Sequence, residues 1–324
     1  MNLTRQPLLL AFATLLALVV ATILRKQGLS FPPEAVEGAR PMAAGWLLSL
    51  QTAFPRLAWS LCGVLAIVSS LSLGRLGPRY TLYSGGTLLT IPLYGVVACG
   101  LFLSDDYLTG FLASFLLVRA VCDFCASYRT GYTFDALFRG ALYLGILPLL
   151  YAPALLLVPF LPIVTLLFKR TFREWIVAIA GLLLPAAALC YVHGLITGNF
   201  TAPAEELWLC LQGPGRFPIF SGASFVLILQ LLSLSAAVLG ALFYFLSDIY
   251  AANTRARAIL TSQVWLLLLC VGMGTLPSMT ASLFPLLAIP ASLLLPLLFV
   301  RLRSSFANAL YLALLALCAL RLFF

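Results

Sequence analysis

Charge is what this sequence has least of. Only 9% of its 324 residues are Asp, Glu, Lys or Arg, and there is a single histidine, His193. A soluble domain carries about 25% charged residues, because a compact fold needs a polar skin. Here 63% of the residues are hydrophobic and the mean hydropathy is +1.08. That balance excludes a water-soluble enzyme, a disordered tail, a collagen and a coiled coil. A basic domain is also missing. The net charge of +9 is spread as single residues and short groups between apolar runs, a distribution that fits membrane orientation and excludes a nucleic-acid partner. There is no glycine-rich phosphate loop and no serine nucleophile elbow. Of the eight cysteines, Cys62, Cys99, Cys190, Cys270 and Cys318 lie within apolar segments, where free cysteine packs as a small hydrophobe. Cys122-Asp-Phe-Cys125 offers two of the four ligands that structural zinc requires, so no metal centre is expected from it.

What is present is a series of long apolar runs, uncharged but for Arg119 in 107–122. A bilayer core about 30 Å thick takes about 20 apolar residues in a helix. The runs are 7–24, 57–74, 86–103, 107–122, 140–168, 175–197, 223–247, 259–276, 284–300 and 306–320. The run 140–168 is too long for one upright helix and holds Pro148, Pro153, Pro159 and Pro162. Proline removes an amide donor and clashes with the preceding turn. A break near Leu150-Tyr151-Ala152 is therefore expected, giving a hairpin of two short helices that returns to its starting side. The expected fold is all-α: one integral membrane domain over 1–324, a polytopic helical bundle of about eleven membrane segments.

The positive-inside rule orients it. With the N-terminus inside, the cytoplasmic connections hold Arg5, Arg75, Arg79, Arg129, Arg139, Lys169, Arg170, Arg173, Arg255, Arg257, Arg301 and Arg303, while the far side holds Arg25, Lys26, Arg40, Arg56, Arg216 and Arg321. The excess predicts a cytoplasmic N-terminus and a C-terminus on the far side. It also depends on the hairpin, since a single kinked span would move every later basic cluster outside.

Two outer loops are long enough to hold structure. In 25–56, Met42, Trp46, Leu50 and Phe54 recur every four residues, the spacing of a helix with one apolar face lying along the membrane surface. In 198–222, Leu207, Trp208 and Leu211 form a shorter face. Each outer loop of any length carries a pair of carboxylates: Glu34 and Glu37, Asp105 and Asp106, Glu205 and Glu206. Such pairs either solvate a loop, hold a divalent cation, or act as a general base toward a hydroxyl. Arg40 and Arg56 lie beside them, with guanidinium forks suited to a lipid phosphate or to simple interfacial anchoring.

Residues 139–157 read Arg-Gly-Ala-Leu-Tyr-Leu-Gly-Ile-Leu-Pro-Leu-Leu-Tyr-Ala-Pro-Ala-Leu-Leu-Leu, and 169–185 read Lys-Arg-Thr-Phe-Arg-Glu-Trp-Ile-Val-Ala-Ile-Ala-Gly-Leu-Leu-Leu-Pro. Over roughly residues 100–200 this resembles a family of bacterial polytopic inner-membrane proteins described as a domain of unknown function, which implies a bacterial inner membrane and makes the far side, with the C-terminus, the periplasmic one. More distantly it is similar to C-type-fold glycosyltransferases that use polyprenyl-phosphate sugars. The second resemblance implies surface helices in the first outer loop and a short-helix hairpin after the fourth span. It also implies a catalytic carboxylate soon after the first span, where an aspartate is usual and this chain offers Glu34 and Glu37. On that reading Glu34 or Glu37 is the base, Asp105 and Asp106 hold a metal or orient the acceptor, and Arg40 or Arg56 meets the lipid phosphate of a polyprenyl-linked substrate in envelope biogenesis. A non-catalytic scaffold or subunit of an envelope complex is the alternative, with Gly63 and Gly74 on partner-binding faces. A transporter ranks third, because spans such as 223–247 carry no charged residue and few polar ones mid-span, and no internal repeat is visible.

Overall fold

The computed structural model describes residues 8–27, 41–83, 86–101, 106–128, 131–213, 225–247 and 253–323, and every element among them is helical. In chain order these are α1 (Leu8–Gln27), α2 (Met42–Ala53), α3 (Pro55–Tyr80), α4 (Thr90–Leu101), α5 (Tyr107–Ser127) and α6 (Phe134–Leu150), then a 3-10 helix (Ala152–Leu157) and α7 (Phe160–Leu167). The rest are α8 (Phe172–Thr197), α9 (Ala202–Leu211), α10 (Phe225–Ser247), α11 (Thr254–Met273), α12 (Leu283–Arg301) and α13 (Ser304–Phe323). Seven are long and apolar enough to cross a membrane: α3, α5, α8, α10, α11, α12 and α13. Three further apolar stretches, Leu8–Leu24, Thr90–Leu101 and Ala152–Leu167, are shorter. The expected count of about eleven is therefore not reached by length. In the run 86–103 the described helix has 12 residues, and 86–89 before it are non-helical.

Two helices form the axis of the bundle. Every residue of α4 is buried, and 83% of the most apolar stretch of α12 is buried against 11% for α8. Around this axis α4 packs on α1, α3 and α13, and α12 packs on α5, α10 and α11. On the flank, α6 packs on α5 and α8 on α6. Hydroxyls join the layers. Ser70 of α3 donates to the Ile91 carbonyl (3.0 Å) and the Tyr83 hydroxyl to the Leu293 carbonyl (2.7 Å). Ser114 of α5 donates to the Pro285 carbonyl (2.9 Å). The single Ser114 proton is thereby used, so the Tyr94 hydroxyl, 2.8 Å away, is the donor of that pair. Buried polar groups must be paired, and across apolar helices these bonds fix register.

The proline-rich run breaks at Tyr151, whose backbone is extended (φ −137°, ψ 100°). At 1.5 Å per residue α6 is about 25 Å long, and the 3-10 helix plus α7 cover about the same distance. The chain thus returns to where α6 began, and α8 runs parallel to α6. Two glycines set their spacing. A Cβ on Gly145 would lie 2.2 Å from the Leu182 carbonyl oxygen, and one on Gly181 would lie 2.7 Å from that of Phe138. Only glycine lets these two backbones touch. Gly63 and Gly74, expected on partner-binding faces, are occupied from within. A Cβ on Gly63 would meet Val19 and Ile23 of α1 at 3.3 Å, and one on Gly74 would meet Ile91 of α4 at 2.4 Å. The small residues let the chain's own helices pack closely, which leaves no room there for another protein.

Candidate functional site

The bundle has two polar ends. One is built where α2, α3 and α5 meet. Trp59 of α3 stacks on Tyr107 of α5 with centroids 3.7 Å apart and planes 11° from parallel, so both helices start at this end. Asp106 is the N-cap of α5 (φ −89°, ψ 50°) and is half-buried. The Leu108 amide donates to Gln51 Oε1 of α2 at 3.3 Å, satisfying one of the orphan donors of the α5 first turn. Arg56 is exposed in the first turn of α3. Tyr151 belongs to the same end, since its hydroxyl accepts from the Thr280 amide (3.2 Å) in the connection between α11 and α12.

Of the residues expected to carry chemistry, Asp106 and Arg56 are thus placed at one end, on adjacent helices. Glu34, Glu37, Arg40 and Asp105 lie outside the described residues. The four-residue spacing expected to give a helix within 25–56 does give one, α2. Trp46 of α2 is 65% exposed and Phe54, the residue that caps its end, 62%, so the apolar stripe faces away from the protein while Ala44 and Leu47 hold the helix to the bundle. In the connection after α8, α9 buries Pro203 and Cys210 and exposes Trp208. Glu205 accepts a 2.8 Å bond from Thr201 Oγ1, which makes that carboxylate part of the helix start. Burial, with Glu206 nearby, pushes the Cys210 thiol up from its ordinary value.

The other end carries a group that the sequence pattern did not single out. Glu174, 1% exposed, accepts five bonds. Its Oε1 takes the Thr133 amide (2.8 Å), Thr133 Oγ1 (3.2 Å) and Arg170 Nη1 (3.4 Å); Oε2 takes the Thr171 amide (3.0 Å) and Thr171 Oγ1 (3.1 Å). A carboxylate so fully engaged is a clasp and not a base. Arg170 continues the network, donating Nη1 to the Gly131 carbonyl (3.1 Å) and Nη2 to the Ser127 carbonyl. Arg255 Nη2 donates to the Tyr128 carbonyl at 2.7 Å. Two arginines therefore serve the carbonyl end of α5, where the helix dipole favours cations. The sequence signal for Glu174 was present: Thr171-Phe-Arg-Glu174 is a capping box, with Arg170 one turn before the acid.

A second missed carboxylate is Asp123 of α5. It is 8% exposed, lies one turn from Arg119, and its Oδ2 has no hydrogen-bond partner among the described residues. Cys122 and Cys125 beside it are free thiols, and no group of three or more metal-ligating side chains occurs among the described residues.

Comparison with protein-family models, curated proteins and solved structures finds no match to this chain. The two resemblances therefore rest on the motifs of the central stretch alone. The helices define a multi-pass membrane protein.

Proposed function

We propose that this multi-pass protein sits in a bacterial inner membrane and works from its outer face on a lipid-linked substrate. The class of reaction is glycosyl transfer from a polyprenyl-phosphate sugar. The observation that carries this reading is the placement of α2: its Trp46, Leu50 and Phe54 stripe is turned to the surroundings while its Gln51 caps α5 two residues after Asp106. A surface helix beside a carboxylate holds a lipid head group next to an acid or base. Glu34 or Glu37 is the base, and Asp105 with Asp106 orients the acceptor or holds a divalent cation. Arg40 and Arg56 neutralise the lipid phosphate. The three shorter apolar stretches complete the membrane-embedded body. The basic residues of the Glu174 end support a cytoplasmic placement of that end and hence a cytoplasmic N-terminus.

The test is complementation of a deletion strain with Glu34→Gln/Glu37→Gln, Asp105→Asn/Asp106→Asn and Arg56→Gln, with membrane levels measured in parallel. Lipid-linked sugars are profiled by mass spectrometry in the same strains. Normally expressed variants that fail, with a polyprenyl-linked intermediate accumulating, support the reading. Full complementation by all three ends it.

A second reading, a carrier for a polar solute, is favoured by α4. Short, wholly buried helices that begin at non-helical backbone are a feature of membrane carriers, and Tyr83, Thr90, Tyr94 and Ser114 place hydroxyls around this one. Solute uptake by proteoliposomes, absent in the outer-carboxylate test, separates the two. A scaffold role loses its stated basis once Gly63 and Gly74 are engaged inside the chain.

A further inference from the structure

At the Glu174 end the carboxylates on α6 and α8 are already taken: Asp135 pairs with Arg139 at 3.0 Å and Glu174 with Arg170 at 3.4 Å. Several arginines there have no ion pair among the described residues, and two of them share one aromatic ring. Arg79 lies exposed in the last turn of α3, and Arg255 lies in the first turn of α11. Both guanidinium carbons are 5.5 Å from the centroid of the buried Tyr80 ring, within the range of a cation–π contact. Arg255 is also 5.4 Å from the Tyr128 ring and bonded to the Tyr128 carbonyl. It is therefore held in place, unlike an arginine that merely reaches for the head groups.

Two guanidinium groups each 5.5 Å from one ring centroid are close enough to repel each other, and an anion that reaches both turns that repulsion into binding. The Tyr128 carbonyl uses one of the five N–H donors of Arg255, so donors remain for a further acceptor. The first turn of α11 contains no acidic residue, and Asn253 makes no side-chain cap bond, so the local potential stays positive. We propose that Arg79 and Arg255, spaced by Tyr80, form a binding site for a phosphate group, presented by an anionic phospholipid or by a soluble phosphate ester. The oxygens of a phosphate match the fork of a guanidinium. The ends of α3 and α11 place the site where a long apolar span meets its connection, the depth of a head group.

The experiment is thermal unfolding of the full chain in detergent with phosphatidylglycerol, with phosphatidylcholine, or with inorganic phosphate against chloride of equal ionic strength. Stabilisation by phosphatidylglycerol alone supports the site with a lipid source; stabilisation by inorganic phosphate supports it with a soluble one. Either gain is lost in Arg79→Gln/Arg255→Gln and kept in Arg75→Gln/Arg303→Gln. Wild type indifferent to both ligands, or a double variant that responds like wild type, overturns the proposal. Should the double variant fail to fold, phenylglyoxal modification of the wild type decides. The effective ligand slows modification of Arg79 several-fold and leaves Arg75 unchanged; equal rates overturn the site.

Discussion

The Thr133 amide donates to Glu174 Oε1 at 2.8 Å, closing a loop of 41 residues. That bond places the start of α6 against the start of α8, so everything between them, α6 and the returning pair of short helices, goes up and comes back. The direction of every later helix depends on it.

Glu174→Ala should therefore be severe. It removes the acceptor of five donors and leaves Arg170 buried beside carbonyls without its counter-charge. Breaking one partner out of a buried pair costs about 3–5 kcal/mol. Thermal unfolding in detergent should show a large loss for Glu174→Ala and a smaller one for Glu174→Gln, which keeps a carbonyl acceptor. Equal effects would mean that the charge, and not the cap, dominates.

The contact of α6 with α8 gives a second prediction. Gly145→Val puts carbon where the Leu182 backbone stands, and overpacking of this kind costs about 1–3 kcal/mol or more. Gly45, in the middle of α2, has nothing within 4 Å of an added Cβ. Gly45→Ala should be neutral or stabilising by up to about 1 kcal/mol, as for an exposed helical glycine. Unfolding midpoints of the two variants check the contrast.

The Tyr94–Ser114–Pro285 chain should behave as a unit. Tyr94→Phe removes one donor at a cost of about 1 kcal/mol, whereas Ser114→Ala strands both the tyrosine hydroxyl and the carbonyl and costs about 1–3 kcal/mol. In the double variant the losses should be less than additive. Additive losses in the unfolding cycle would show that the hydroxyls act independently.

Trp46 reports on α2. If its exposed stripe lies in lipid, its emission should be blue-shifted in vesicles and quenched most strongly by bromines close to the head groups. Red-shifted emission quenched by aqueous iodide would place α2 in water and remove the support it gives to a lipid-handling face.

Much of this architecture is legible in the residues. Four prolines within 140–168 announce the break at Tyr151, and the four-residue spacing of Trp46, Leu50 and Phe54 announces the exposed stripe of α2, because both are local rules. The short, buried α4 is not legible. An apolar run looks like an upright span, and the packing that buries every residue of α4 is tertiary: the segment before it is tied by Tyr83 to a carbonyl 210 residues away. Glu174 was readable as a capping box yet looked like an ordinary span boundary, since its partner Thr133 is supplied by another helix. The acidic pairs show where carboxylates concentrate, but whether they converge is decided by tertiary packing; of the residues expected to carry chemistry, only Asp106 and Arg56 are placed, on neighbouring helix starts.

The most direct test of the topology is the side from which single cysteines react. Tyr132 and Phe172, both exposed at the starts of α6 and α8, and Asn199, exposed just after α8, are replaced in turn. α8 is about 39 Å long at 1.5 Å per residue, enough to separate its ends across a bilayer. With an impermeant maleimide on sealed, oriented vesicles, Tyr132→Cys and Phe172→Cys should react from the same side and Asn199→Cys from the opposite side, the unmodified chain giving the background. Reaction of Tyr132→Cys and Phe172→Cys from opposite sides would contradict the hairpin and, with it, the orientation of every helix from α8 onward.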